Sequence, residues 1–118
     1  NIAKWCGQSD DPRVAFQSGR SELTDLSDSR FSFTAAPVEL TDTDVINGEL
    51  TKSNYDVIFA QSAHYSTAAE MAALRAFLEA GGGVVFYGTS WAFNYPNGFD
   101  YGLEYPANVI IAGTGSTF

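Results

Sequence analysis

Residues 56–87, DVIFAQSAHYSTAAEMAALRAFLEAGGGVVFY, decide the fold class. At their start Val57, Ile58 and Phe59 form a continuous apolar run. Such a run marks a strand covered on both faces, and it predicts one over residues 56–60. Thr67 and Glu70 follow at the spacing of a capping box, in which a hydroxyl and a carboxylate satisfy amides left free at a helix start. Met71, Leu74, Phe77 and Leu78 then gather on one helical face, while Ala72, Ala73, Ala76 and Ala80 line the other. Arg75 and Glu79 stand four apart and can pair on the surface. Gly81, Gly82 and Gly83 end the helix, and a second buried strand is expected over 84–87. Strand, helix, strand with short links is a βαβ unit, which implies a parallel sheet and a right-handed crossover.

Outward from this unit the signals weaken. Residues 1–6 read as the tail of a helix with Gly7 as its stop, and Ser9, Asp10, Asp11 and Pro12 as a turn. A short strand is expected over 13–17, centred on Val14, Ala15 and Phe16, and another over 37–40. Between them, residues 18–32 are polar with little period and read as a loop, with room for one helical turn near Leu23 and Leu26. Thr41, Asp42, Thr43 and Asp44 announce a helix before Val45 and Ile46. Near the end, Pro106 suits the first turn of a short helix through Ile110 and Ile111. The same apolar residues suit a strand, and periodicity leaves both open. The expectation is one α/β domain over residues 1–118, a three-layer sandwich with a mainly parallel sheet.

Composition excludes several function classes. The formal net charge is −8, and the arginines Arg13, Arg20, Arg30 and Arg75 are scattered. A nucleic-acid partner requires clustered cations to neutralise phosphates, and an anionic membrane surface attracts basic clusters, so neither is expected. Only 17% of residues are charged, with two lysines, Lys4 and Lys52. Serine, threonine, glycine and asparagine supply the remaining polarity, a balance that points to a secreted protein. Cys6 is the sole cysteine, which rules out an internal disulfide and a cysteine-rich zinc cage. It reads as a small core residue. No apolar run approaches the length of a membrane span, so no insertion is expected. A chain that begins at Asn1 rather than methionine is expected to be a piece of a longer protein.

Candidate chemistry lies after the buried strands. Gly88, Thr89, Ser90, Trp91 and Ala92 approximate the nucleophile elbow G-x-S-x-G, with alanine in the last place. A serine nucleophile needs a base, and no histidine lies downstream of Ser90. His64, the only histidine, falls in the loop after the first buried strand. In a parallel sheet that loop shares an edge with Ser90, so a Ser–His pair is geometrically open. No acidic residue is obviously placed to orient the imidazole, and a loop histidine bonded to backbone or water is the plainer reading. Trp91, Phe93, Tyr95, Phe99, Tyr101 and Tyr105 form a dense aromatic set. Such rings can stack on sugars or anchor a partner, and they can equally pack a short sheet or a neighbouring domain. The acidic pairs Asp10–Asp11, Asp25–Asp28 and Asp42–Asp44 do not continue into a calcium loop. No HExxH, GxGxxG or P-loop motif is present, and neither metal nor cofactor is expected.

The stretches SNYDVIFAQSAH and EMAALRAFLEAGGGVVFYGTSW resemble the class I glutamine-amidotransferase-like, flavodoxin-like fold. The flanks NIAKWCG and WAFNYPNGFDYGLEYPANVIIAGTG look like the amidotransferase-like domain of secreted enhancin-type, mucin-targeting metalloproteases of the SslE and accessory colonisation factor D type. There an N-x-x-x-W helix leads into the first strand, and a Y-P-x-N motif, matched by Tyr105, Pro106 and Asn108, opens a closing helix. The resemblance implies a non-catalytic accessory module of a secreted or surface bacterial protein. Its partners would be neighbouring domains of the parent chain and host glycoproteins or glycans. The zinc protease motif of that family is absent from this chain. The elbow carries Ser90 where a glutaminase has cysteine, with no histidine after it. A minimal serine hydrolase using Ser90 and His64 is the alternative.

Overall fold

The computed structural model describes residues 2–17, 33–61, 67–87 and 105–114. Four strands, β1 (Val14–Gln17), β2 (Val38–Leu40), β3 (Val57–Gln61) and β4 (Gly83–Tyr87), pair in the order β2-β1-β3-β4. Every pairing is parallel: Ala15 lies opposite Val38, Val14 opposite Val57, and Val57 opposite Gly83. The order matches the first four strands of a doubly wound 2-1-3-4-5 sheet. Its direction reverses between β1 and β3.

Side chains alternate across the sheet, and each face carries its own apolar cluster. On one face Val14, Val57 and Phe59 pack with Ala3 of helix α1 (Ile2–Gly7), flanked by Phe16, Phe33, Val85 and Tyr87. On the other, Ala15, Ile58 and Ala60 meet helices α2 (Asp42–Ile46), α3 (Ala68–Glu79) and α4 (Pro106–Ile111) through Val45, Leu74, Phe77 and Ile110. The result is the expected α/β arrangement, a parallel sheet between helical layers. Because both faces are covered, β3 is buried at four of its five positions, which accounts for its unbroken apolar run.

The helix starts follow the sequence signals. Thr41 and Asp44 form a capping box for α2, and Thr67 and Glu70 form one for α3. Glu70 Oε2 accepts the Thr67 backbone N–H at 3.0 Å while Thr67 Oγ1 accepts the Glu70 N–H at 3.2 Å. Leu74 and Phe77 are buried, whereas Met71 and Leu78, expected with them, are half-buried at the margins of that face. The open choice for residues 106–111 resolves as helix, with Pro106 in its first turn. Arg75 fastens this helix to α3. It pairs with Glu79 at 2.6 Å and donates to the carbonyls of Ile110 (3.1 Å) and Ala112, groups that a helix end leaves without internal partners.

The strand ends shift by a residue from those expected, and the helix stop expected at Gly7 is not found there. Gly7 lies inside α1 rather than stopping it, and Gln8 takes the left-handed conformation with φ of 51°. Gly7 serves close approach instead: a Cβ there would lie 3.0 Å from Pro12 Cβ and 3.3 Å from Asp56 Cβ. The three glycines after α3 divide their work in the same way. Gly81 supplies the positive φ of 86°, as helix ends commonly require. A Cβ on Gly82 would strike the Phe77 ring at 2.4 Å, and one on Gly83 the Cys6 carbonyl at the same distance.

Candidate functional site

The strand directions define two edges. At the C-terminal edge, where open α/β sheets place their ligands, the switch point lies between the ends of β1 and β3. Gln17 and Gln61 stand there. Gln17 is the last residue of an otherwise apolar strand, VAFQ, and is only 1% exposed. Its Oε1 accepts the Gln61 backbone N–H at 3.0 Å, spanning from the end of β1 to the end of β3. The side chain thereby serves an amide that β1, ending at Gln17, no longer reaches with its backbone. The other end of the same amide, Nε2, is buried and has no hydrogen-bond partner among the described residues.

At the N-terminal edge an ionic knot joins β1, β3 and the turn before β3. Asp56 accepts from Arg13 Nε at 2.9 Å and Nη2 at 3.0 Å, from the Arg13 backbone N–H at 2.9 Å, and from Lys52 Nζ at 2.6 Å. Arg13 also donates to the carbonyls of Ser53 and Lys52. These donors, Arg13 first, hold the Asp56 carboxyl far below the usual carboxylate range, against the opposing effect of its burial. Each donor is committed within the knot, whose chemistry is that of a clamp.

Beside this edge α1 exposes apolar surface. Ile2 and Trp5, three apart on one helical face, are 57% and 81% exposed. A groove of about 570 Å³ runs past Trp5, Cys6, Leu78 and Gly81 to Val84. Cys6, read from sequence as core, is half-buried and packs at the edge of the α1 cluster, and burial raises its thiol pKa. That environment favours the neutral thiol over a reactive thiolate.

Of the site residues expected from sequence, His64, Ser90, Trp91, Phe93, Tyr95 and Tyr101 lie outside the described residues. The strands that precede His64 and Ser90 end opposite each other, at Gln61 and Tyr87. Tyr105 is described, and it departs from the expected binding role. It sits at the N-cap of α4 with no exposed surface, so its ring belongs to the interior. Among the described residues no three His, Cys, Asp or Glu side chains come together as a metal site, and no helix is long and apolar enough to cross a membrane.

Sequence reasoning passed over Gln17, the Asp56 knot and the outward face of Trp5. A glutamine closing an apolar strand, an aspartate opening one, and an Ile–Trp pair at helical spacing were the available signals. No family model, curated protein or solved structure matches this chain.

Proposed function

We infer that the chain is a non-catalytic accessory module of a larger secreted or surface bacterial protein, one that targets mucin or another glycoprotein through a metalloprotease domain elsewhere in the polypeptide. The observation that supports this reading is the apolar ridge of α1. Ile2 and Trp5 face solvent beside the groove lined by Cys6, Leu78 and Val84. An exposed tryptophan next to an apolar concavity is the kind of surface that docks against a partner. In this reading the partner is a neighbouring domain, and the module's role is to orient it. The aromatic residues Trp91, Phe93, Tyr95 and Tyr101 belong to the same proposal as contacts to that domain or to a glycan.

Trp5 fluorescence tests the docking role. Iodide quenching is compared between the 118-residue chain and the longer parent polypeptide, each carrying Trp91→Phe. Strong quenching in the isolated chain and protection in the parent are expected. Equal accessibility in both would reject the α1 ridge as the docking face.

A further inference from the structure

We propose that Gln8 is the polar anchor of the α1 docking face, where its side-chain amide pairs with a peptide group of an extended, uncharged segment of the partner domain. The inference rests on the docking reading above and supplies the chemistry of the occupant. Gln8 has a left-handed backbone with φ of 51°, and among the described residues it is the only one besides glycines with a positive φ. Helix ends commonly place glycine at such a position, because a side chain there crowds the backbone. Here the glycine stands one residue earlier, inside α1, where Pro12 and Asp56 approach it closely. Gln8 therefore keeps a side chain at a position where having none would relieve strain. Strain of this kind collects where the side chain serves a site.

That side chain is exposed, and its amide makes no hydrogen bond among the described residues. It lines two concavities, the groove of about 570 Å³ and a hollow of about 500 Å³ formed with Lys4, Ser9 and Asp10. Trp5 lines both as well. A segment laid through the groove and on into the hollow passes Gln8 and Trp5 in turn, which suits an extended backbone. The lining sets the rest of the chemistry. No residue around the groove is charged, so an ion entering it would lose hydration without compensation. Trp5, Leu78 and Val84 offer apolar contact, and at Gly81 the space a Cβ would fill is open, which lets a partner backbone come close. The Gln8 amide carries both donor and acceptor, the same pair that a peptide group presents.

The test is Gln8→Gly in the 118-residue chain and in the longer parent polypeptide, both labelled with fluorotryptophan. The Trp5 ¹⁹F signal, assigned by its loss in Trp5→Phe, is followed as urea is raised. In the parent, Gln8→Gly should move the midpoint at which Trp5 leaves its docked shift to lower urea, because the anchoring hydrogen bond is gone. In the isolated chain the unfolding midpoint should stay or rise, since relief of the left-handed strain offsets the looser unfolded state. A parent midpoint that does not fall overturns the proposal. An equal fall in chain and parent also overturns it, and assigns Gln8 to holding α1 in place. A Trp5 signal identical in the unsubstituted chain and parent before urea rejects the docking reading itself, and this inference with it.

Discussion

The Arg13 guanidinium meets the Asp56 carboxylate side by side, Nε to Oδ2 at 2.9 Å and Nη2 to Oδ1 at 3.0 Å, across 43 residues of sequence. Together with the Arg13 N–H on the same carboxylate, this contact fixes how β1 sits against β3 at the end of the sheet where both begin. The Asp56 side chain is 12% exposed and the Arg13 side chain 45%, so the pair is screened on the arginine side only.

That asymmetry sets an acid dependence. The folded pKa of Asp56 is depressed, so its contribution is present above the unfolded value of about 3.9 and is lost as pH falls below that towards the folded pKa. Asp56→Asn should cost about 2 kcal/mol at pH 7 in a urea titration, the scale of hydrogen bonds to a charged group. The gap between variant and parent should narrow below about pH 4. A constant gap from pH 7 to pH 3 would assign the loss to packing instead.

Leu74 has no exposed surface and faces the core cluster from the middle of α3. Leu74→Ala should lower the unfolding free energy by about 2–5 kcal/mol, through lost transfer energy and the cavity left behind. Ala72→Ser on the exposed side of the same helix should change it by about 0.5 kcal/mol or less. Similar urea midpoints for the two variants would show that the buried face is misassigned.

The glycines after α3 should respond differently to alanine. At Gly81 nothing lies within 4 Å of an added Cβ, so the cost is the left-handed φ alone, about 1–2 kcal/mol. At Gly83 the Cβ would meet the Cys6 carbonyl carbon at 2.6 Å and its oxygen at 2.4 Å. Backbone must then move on both α1 and β4, and Gly83→Ala should be the more destabilising of the two. Thermal unfolding of both variants under one set of conditions gives the order, and the reverse order would contradict the contact.

The isolated chain should hydrolyse neither p-nitrophenyl acetate nor glutamine above background, and Ser90→Ala should change nothing. The ground is chemical: a serine nucleophile needs a base held in place by a third group, and no acidic residue is placed by sequence to orient His64. Turnover that disappears with Ser90→Ala would establish the hydrolase alternative.

The fold was legible wherever its signals were local. The apolar run at Val57, the capping box at Thr67 and the helix start at Thr41 each act within a few residues, and each marks an element of the structure, whereas the apolar residues after Pro106 suited helix and strand alike. The end of α1 was misread because the role of Gly7 depends on Pro12 and Asp56 crossing beneath it, a tertiary event with no local trace. The candidate site was less legible for the same reason. Gln17 matters because β1 stops beside Gln61, and Asp56 because Arg13 comes to it from 43 residues away. Neither partner can be chosen from spacing alone.

The strand order has a kinetic consequence. β1 is the first strand in the chain, yet both of its neighbours, β2 and β3, come later. By contrast β3, α3 and β4 are consecutive, and their contacts close over a short loop. Loop-closure entropy therefore favours a nucleus built from β3, α3 and β4, with β1 inserted afterwards into the middle of the sheet. Leu74→Ala should mainly slow refolding, whereas Val14→Ala should mainly speed unfolding, as stopped-flow chevrons would show. Until β1 arrives, β3 presents an unpaired edge, so the partly folded chain is most prone to self-association in that interval.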